Sequence, residues 1–124
     1  MAEVLLAHSY FLRFDPKAYR QMEPYAPLGT LYAASCVREH GYDTAFFDAM
    51  LAESELEIEP FLIKHKPRFV VFFEDNFNYL SKMCLSRMRE ACFRMSAIAR
   101  RQGCIVIVQG SDPVDHLQQY FSNG

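Results

Sequence analysis

Long apolar runs are missing from this 124-residue chain. Its uninterrupted hydrophobic stretches, such as Val4–Ala7, Phe69–Phe73 and Ile105–Val108, are strand-sized, so no segment is expected to span a bilayer. The opening Met1-Ala2-Glu3 has neither a basic region nor a long apolar core behind it, so no secretory signal is expected. No charge of one sign dominates. The formal net charge is −2 and no basic patch forms, so nucleic acid is not an expected partner. Glycine is scarce, and none follows the first predicted strand, where the turn reads His8-Ser9-Tyr10-Phe11-Leu12-Arg13. That turn excludes the GxGxxG of a dinucleotide site, the P-loop and the small-residue phosphate loop of flavodoxins, all of which need backbone close to a phosphate. The four cysteines, Cys36, Cys84, Cys92 and Cys104, form neither a CxxC nor a zinc-knuckle spacing. They read as reduced thiols acting as small hydrophobes, which predicts a cytoplasmic protein. His8, His40, His65 and His116 lack a nucleophile-elbow partner, so no hydrolytic triad is expected and each reads as structural or solvated. His8 stands apart because it ends a strand.

What is present is an alternation of strands and helices. Glu3–His8 is a short apolar strand. After the polar and aromatic stretch from Ser9 to about Pro24, the segment 27–41 reads as a helix, with Pro27 at its start and Gly41 as its stop. Leu28, Leu31, Tyr32 and Cys36 share one side of that helix. Tyr42–Asp48 alternates as a second strand, and an acidic helix follows between about Ser54 and His65, with Pro60 either in its first turn or at a kink. Arg68–Phe73 is continuously apolar, the pattern of a strand buried on both faces. Glu74–Tyr79 forms a loop. A long helix from about Ser81 to Gln102 repeats Leu85, Met88, Cys92, Met95 and Ala99 at spacings of three and four, and Gly103 stops it. Cys104–Val108 is the fourth strand, and a last helix starts near Pro113. The repeated βαβ order predicts an α/β, flavodoxin-like (Rossmann-like) three-layer open parallel sheet of order 2-1-3-4. A fifth strand falls due where the chain reads Tyr120–Gly124. Residues 1–124 thus read as a single domain, a fragment of a longer protein.

Ligands of such sheets sit outside the carboxyl ends of the strands, where strand order reverses. The loops Ser9–Pro24, Glu74–Leu80 and Gln109–Pro113 therefore carry the candidate site. Glu74, Asp75, Asn76 and Asn78 cluster there. Their oxygens suit a hard cation, but the spacing fits no calcium loop, and turn and capping chemistry accounts for the same residues. A phospho-acceptor site would need acidic residues after the first strand as well, and these are missing.

One resemblance runs along nearly the whole chain. Pro24-Tyr25-Ala26-Pro27-Leu28-Gly29-Thr30-Leu31-Tyr32-Ala33-Ala34, then Val37-Arg38-Glu39-His40-Gly41-Tyr42-Asp43-Thr44 and Phe47-Asp48-Ala49, resembles the N-terminal cobalamin (vitamin B12)-binding domain of radical S-adenosylmethionine enzymes. The similar group is that of the anaerobic magnesium-protoporphyrin IX monomethyl ester cyclase. Lys66–Val71 is similar to the family's third strand, and Ile105–Pro113 to its fourth strand and following turn, with Gln109-Gly110-Ser111 in place of the usual paired glycines. The DxHxxG of other cobalamin domains is absent, as it is from this family. The resemblance implies cobalamin held base-off, without a protein histidine on cobalt. It implies a [4Fe-4S] cluster and S-adenosylmethionine in a C-terminal domain outside these residues, because no CxxxCxxC occurs here. The implied partner is that radical S-adenosylmethionine domain of the same polypeptide, and the parent reaction is of methyltransferase or cyclase type. The expected cofactor contacts are Ser9, Tyr10, Leu28, Gly29, Glu74, Asp75, Asn76, Asn78, Gly110 and Ser111, with no catalytic residue and no protein metal ligand. The alternatives are a vestigial domain that mediates contacts without a cofactor and a receiver-like signalling domain using Glu74 and Asp75.

Overall fold

In the computed structural model the described residues are 2–22, 26–74 and 85–123. Four parallel strands, β1 (Val4–Ala7), β2 (Thr44–Phe47), β3 (Phe69–Phe73) and β4 (Ile105–Gln109), form one sheet of order β2-β1-β3-β4, with helices on both faces. The predicted α/β architecture and strand order are those observed. The helices are α1 (Pro16–Gln21), α2 (Leu28–Glu39), α3 (Ile58–His65), α4 (Leu85–Arg101), α5 (Ser111–Asp115) and α6 (Leu117–Ser122). No helix among the described residues is long and apolar enough to cross a membrane.

Local chemistry sets the element ends. Gly41 sits at φ 93°, a left-handed conformation that costs glycine nothing and ends α2; Gly103 ends α4 in the same way. Ser54 and Glu57 make a capping box over a 3₁₀ turn at Glu55–Glu57, which runs straight into α3. Pro60 therefore lies in the first turn of α3, where its missing N–H is tolerated, and not at a kink.

The main core lies on one face of the sheet. Leu5, Ala7, Phe47, Val70 and Phe72 pack there against Ile58 and Leu62 of α3 and Ala91, Cys92, Met95, Ile98 and Ala99 of α4. Of the predicted stripe of α4, Cys92, Met95 and Ala99 lie on this buried face, and Met88 is buried against Tyr10, Leu12 and Met50. Cys92 and Cys104 are buried free thiols, Cys36 is partly buried, and burial pushes the Cys92 thiol well up. Cys84 lies outside the described residues.

The opposite face is covered less completely, and two expectations are corrected there. β3 is not buried equally on both sides: Val70 and Phe72 are fully enclosed, while Phe69, Val71 and Phe73 are only partly covered. Nor does α2 bury the side carrying Leu28, Leu31 and Tyr32. Those three are exposed, and Thr30 is the fully buried residue of the helix. The reason is a polar anchor: the Thr30 hydroxyl donates to the Phe73 carbonyl at 3.3 Å and turns that side of α2 toward the sheet. The segment after β1, read as irregular, also contains helix: a 3₁₀ turn at Leu12–Phe14 and then α1.

Two partly buried ion-pair clusters fasten the periphery. Arg87 donates to Glu55 at 2.7 Å and lies over the Phe14 ring, 3.7 Å from its centroid, joining α4 to both 3₁₀ turns. Arg89 makes a two-pronged pair with Asp112, 2.8 Å on each prong, and the Tyr120 hydroxyl donates to the same carboxylate at 2.7 Å. That pair ties α4 to α5 and α6.

Candidate functional site at the carboxyl edge of the sheet

β1 and β3 are adjacent, yet the chain leaves β1 toward α2 on one face and β3 toward α4 on the other. Strand order therefore reverses between them, and the two strand ends part at that point. The groups collected along this edge are His8 and Ser9 after β1, Asp48 after β2, Glu74 after β3 and Gly110 after β4.

Ser9 and Glu74 meet across the reversal. The Ser9 hydroxyl donates to Glu74 Oε2 in a short hydrogen bond, and both side chains are buried. The Glu74 N–H donates to the Gln109 carbonyl at 2.7 Å, extending the β3–β4 ladder to the edge. On the other side, fully buried His8 faces Asp48, with Nε2 2.7 Å from Oδ1. The Tyr10 N–H donates to His8 Nδ1 at 3.2 Å. The Ala49 N–H also approaches Nε2, at 3.2 Å. Asp48 accepts a further bond from the Met50 N–H at 2.9 Å, and its side chain is 44% exposed. Burial alone would raise the Asp48 carboxyl; the bonds from His8 and from the Met50 N–H outweigh it and hold the group below its ordinary range.

The Asp48 shift is testable. In a His8→Ala variant the Asp48 carboxyl loses its strongest donor, and its titration midpoint is expected to move upward, as read by NMR titration of the side-chain carbon. An unchanged midpoint would mean that the Met50 N–H alone holds the charge.

The predicted site residues divide into several groups. Ser9, Glu74 and Gly110 lie at the edge and are buried. Gly110 has φ 149° and ψ 174°, a region open to glycine alone, so the backbone turns from β4 into α5 without a side chain in the way. Leu28 and Gly29 open α2; Leu28 is exposed and Gly29 partly so. Because Thr30 is bonded to the end of β3, this first turn lies beside the strand reversal. Tyr10 is enclosed with Leu12, Met50 and Met88, and its hydroxyl donates to Asp15 at 2.7 Å, so its ring packs in the protein's own core. Ser111 begins α5, though its side chain is not among those described. Asp75, Asn76 and Asn78 lie outside the described residues.

Asp48 and Thr30 stand within the quoted sequence pattern, but their roles were not legible in it. Nothing in the order of residues says that Asp48 will meet His8 forty positions away, or that Thr30 will bond the last residue of β3. No group of three or more histidine, cysteine or acidic side chains able to hold a metal ion occurs among the described residues. No model of a known protein family, no curated protein and no solved structure matches this chain.

Proposed function

We propose that this domain is the cobalamin-binding module of a radical S-adenosylmethionine enzyme, of methyltransferase or cyclase type, and that it holds the cofactor base-off against the carboxyl edge of the sheet. The observation that carries the reading is the Thr30–Phe73 hydrogen bond, which sets the Pro27-Leu28-Gly29 helix start beside the strand reversal. The most distinctive element of the sequence resemblance and the edge where open α/β sheets take ligands thus coincide. The support is the motif and the fold.

The donor set at the edge suits this cofactor in one respect. His8 is enclosed and engaged at both ring nitrogens, so it is not poised to ligate cobalt, as base-off binding without a protein histidine requires. Leu28 and Gly29 would line the approach, Gly110 would let the ring come close to backbone, and exposed Asp48 offers acceptor oxygens for the corrin amides. When bound, the corrinoid supplies the alkyl-transfer chemistry; the chain's own part is to bind and orient.

The test is hydroxocobalamin added to the purified chain. Retention of the dye through gel filtration with an altered visible spectrum is expected, and Gly29→Trp, which crowds the first turn of α2, is expected to weaken retention at least tenfold. A folded chain that retains no dye would sink the reading. That result would favour a domain that only mediates contacts. The buried Ser9–Glu74 bond supports this second reading, because it closes the strand reversal with the protein's own side chains.

A further inference from the structure

One charged group at the carboxyl edge faces outward while its polar neighbours face in. In the β1–β2 register Ala7 stands opposite Phe47, so one residue further on His8 and Asp48 come side by side at the end of the ladder. Neighbouring strands lie about 4.8 Å apart, so Asp48 is one such step from β1, which borders the strand reversal. His8, Ser9 and Glu74 are buried there, whereas the Asp48 side chain is 44% exposed. His8 Nε2, at 2.7 Å, and the Met50 N–H, at 2.9 Å, both engage Asp48 Oδ1. Asp48 Oδ2 takes no hydrogen bond among the described residues. The His8 ring is itself fixed by burial and by the Tyr10 N–H on Nδ1, so it braces the carboxylate from a rigid base. Arg13, the cation of the 3₁₀ turn after β1, is turned to Glu53, 3.5 Å away, and to the Tyr19 ring. Residues 48–54 contain no lysine or arginine.

We propose, resting on the cobalamin reading above, that Asp48 sets the ligand specificity of this edge: Oδ2 accepts a hydrogen bond from a neutral primary amide on the corrin rim, so the amidated cofactor is taken and a corrinoid with a carboxylate at that place is rejected. An ionised carboxylate only accepts hydrogen bonds, so its partner must bring the proton. A primary amide brings two N–H groups and no charge. A ligand carboxylate at neutral pH brings no proton and sets like charge against like. Asp48 stays ionised in that range, because His8 and the Met50 N–H hold its carboxyl below the ordinary value. With Arg13 paired to Glu53, the turns after β1 and β2 offer such an acid no free lysine or arginine among the described residues.

Equilibrium dialysis near pH 7 tests this, with hydroxocobalamin and its separated monocarboxylic acids, each with one propionamide hydrolysed. The wild-type chain is expected to bind one of these acids about tenfold or more weakly than hydroxocobalamin, because a like-charge contact replaces a hydrogen bond. Asp48→Asn has the same shape, no charge and a donor of its own, and is expected to bring that ratio below about threefold, chiefly by strengthening the acid. Circular dichroism checks that the variant folds. A merely structural role for Asp48 would weaken both ligands together and leave the ratio as it was. In the wild type the ratio should also shrink between pH 7 and about pH 4.5, where the ligand carboxyl gains a proton while Asp48 keeps its charge. Equal affinities of the wild-type chain for hydroxocobalamin and every acid would overturn the proposal and leave the cobalamin reading standing. A ratio unchanged by Asp48→Asn would overturn it too, since another group would then discriminate. A folded chain that takes up no corrinoid would remove the cobalamin reading and the proposal with it.

Discussion

Replacing Asp112 with alanine is expected to cost the fold about 3 kcal/mol, because it strands the largely covered Arg89 guanidinium and the Tyr120 hydroxyl without their common acceptor. Removing one member of a buried pair costs more than the pair contributes, since the remaining charge has lost both its partner and its water. Against a typical total of about 5–15 kcal/mol, this is a large fraction of the stability. The pair holds α5 and α6 to α4, so a shift of the urea midpoint should be accompanied by faster amide exchange in residues 111–122 than in β1 or β3.

The same site predicts a dependence on pH. Burial alone would raise the Asp112 carboxyl; hydrogen bonds from Arg89 and Tyr120, and the guanidinium charge, outweigh it and lower the value in the folded state. A carboxyl lowered by folding contributes stability above its unfolded value, near about 3.9, and loses that contribution as pH falls through the folded value. Glu55, held down in the same way chiefly by Arg87, and Asp48 at the sheet edge add in the same direction. Stability should therefore be flat in this respect above about pH 5 and decline below about pH 4, with Asp112→Asn showing a shallower acid slope than the wild type. Urea midpoints measured between pH 3 and 7 decide it, and an equal slope in the two proteins would show that Asp112 carries no linked proton.

The second large effect concerns two adjacent phenylalanines. Phe72→Ala is expected to cost about 3–5 kcal/mol, because Phe72 is fully enclosed between β3 and α4 and its removal leaves a cavity. Phe73→Ala should cost less than half as much, because its side chain lies on the thinly covered face. Equal costs, measured by urea unfolding, would mean that both faces of β3 are equally packed and would contradict the burial described here. A smaller Phe72 cost alone would mean that the core relaxes into the vacated space.

That pair of residues also marks how far the amino-acid sequence could be read. An unbroken apolar run identifies β3, but periodicity that is apolar on both sides cannot say which side lies under a helix. Coverage depends on which helices the connections deliver to which face, and among the described residues α2 is the helix that packs on the side of Phe69, Val71 and Phe73. The same limit explains α2. Its apolar side reads as the buried one, yet Thr30 is buried and bonded to the end of β3 while Leu28 and Tyr32 face outward. The stripe of α4 was legible because Met88, Cys92, Met95 and Ala99 repeat at spacings of three and four through several turns, and all four are buried.

The absence of glycine after the first strand remains the most informative single feature of the chain. By itself the sequence determined the order of elements, their stops at Gly41 and Gly103, and the parallel sheet that such an order favours, whose predicted 2-1-3-4 order is the one observed. These follow from local sterics, periodicity and the handedness of crossovers, all of which act within a few tens of residues. Only the tertiary structure decided that Ser9 meets Glu74, that His8 meets Asp48 and that Asp112 gathers Arg89 and Tyr120. Polar partners of this kind are selected by burial: each group must find whichever donor or acceptor the packed chain brings within about 3 Å, and sequence separation places no constraint on which one that is.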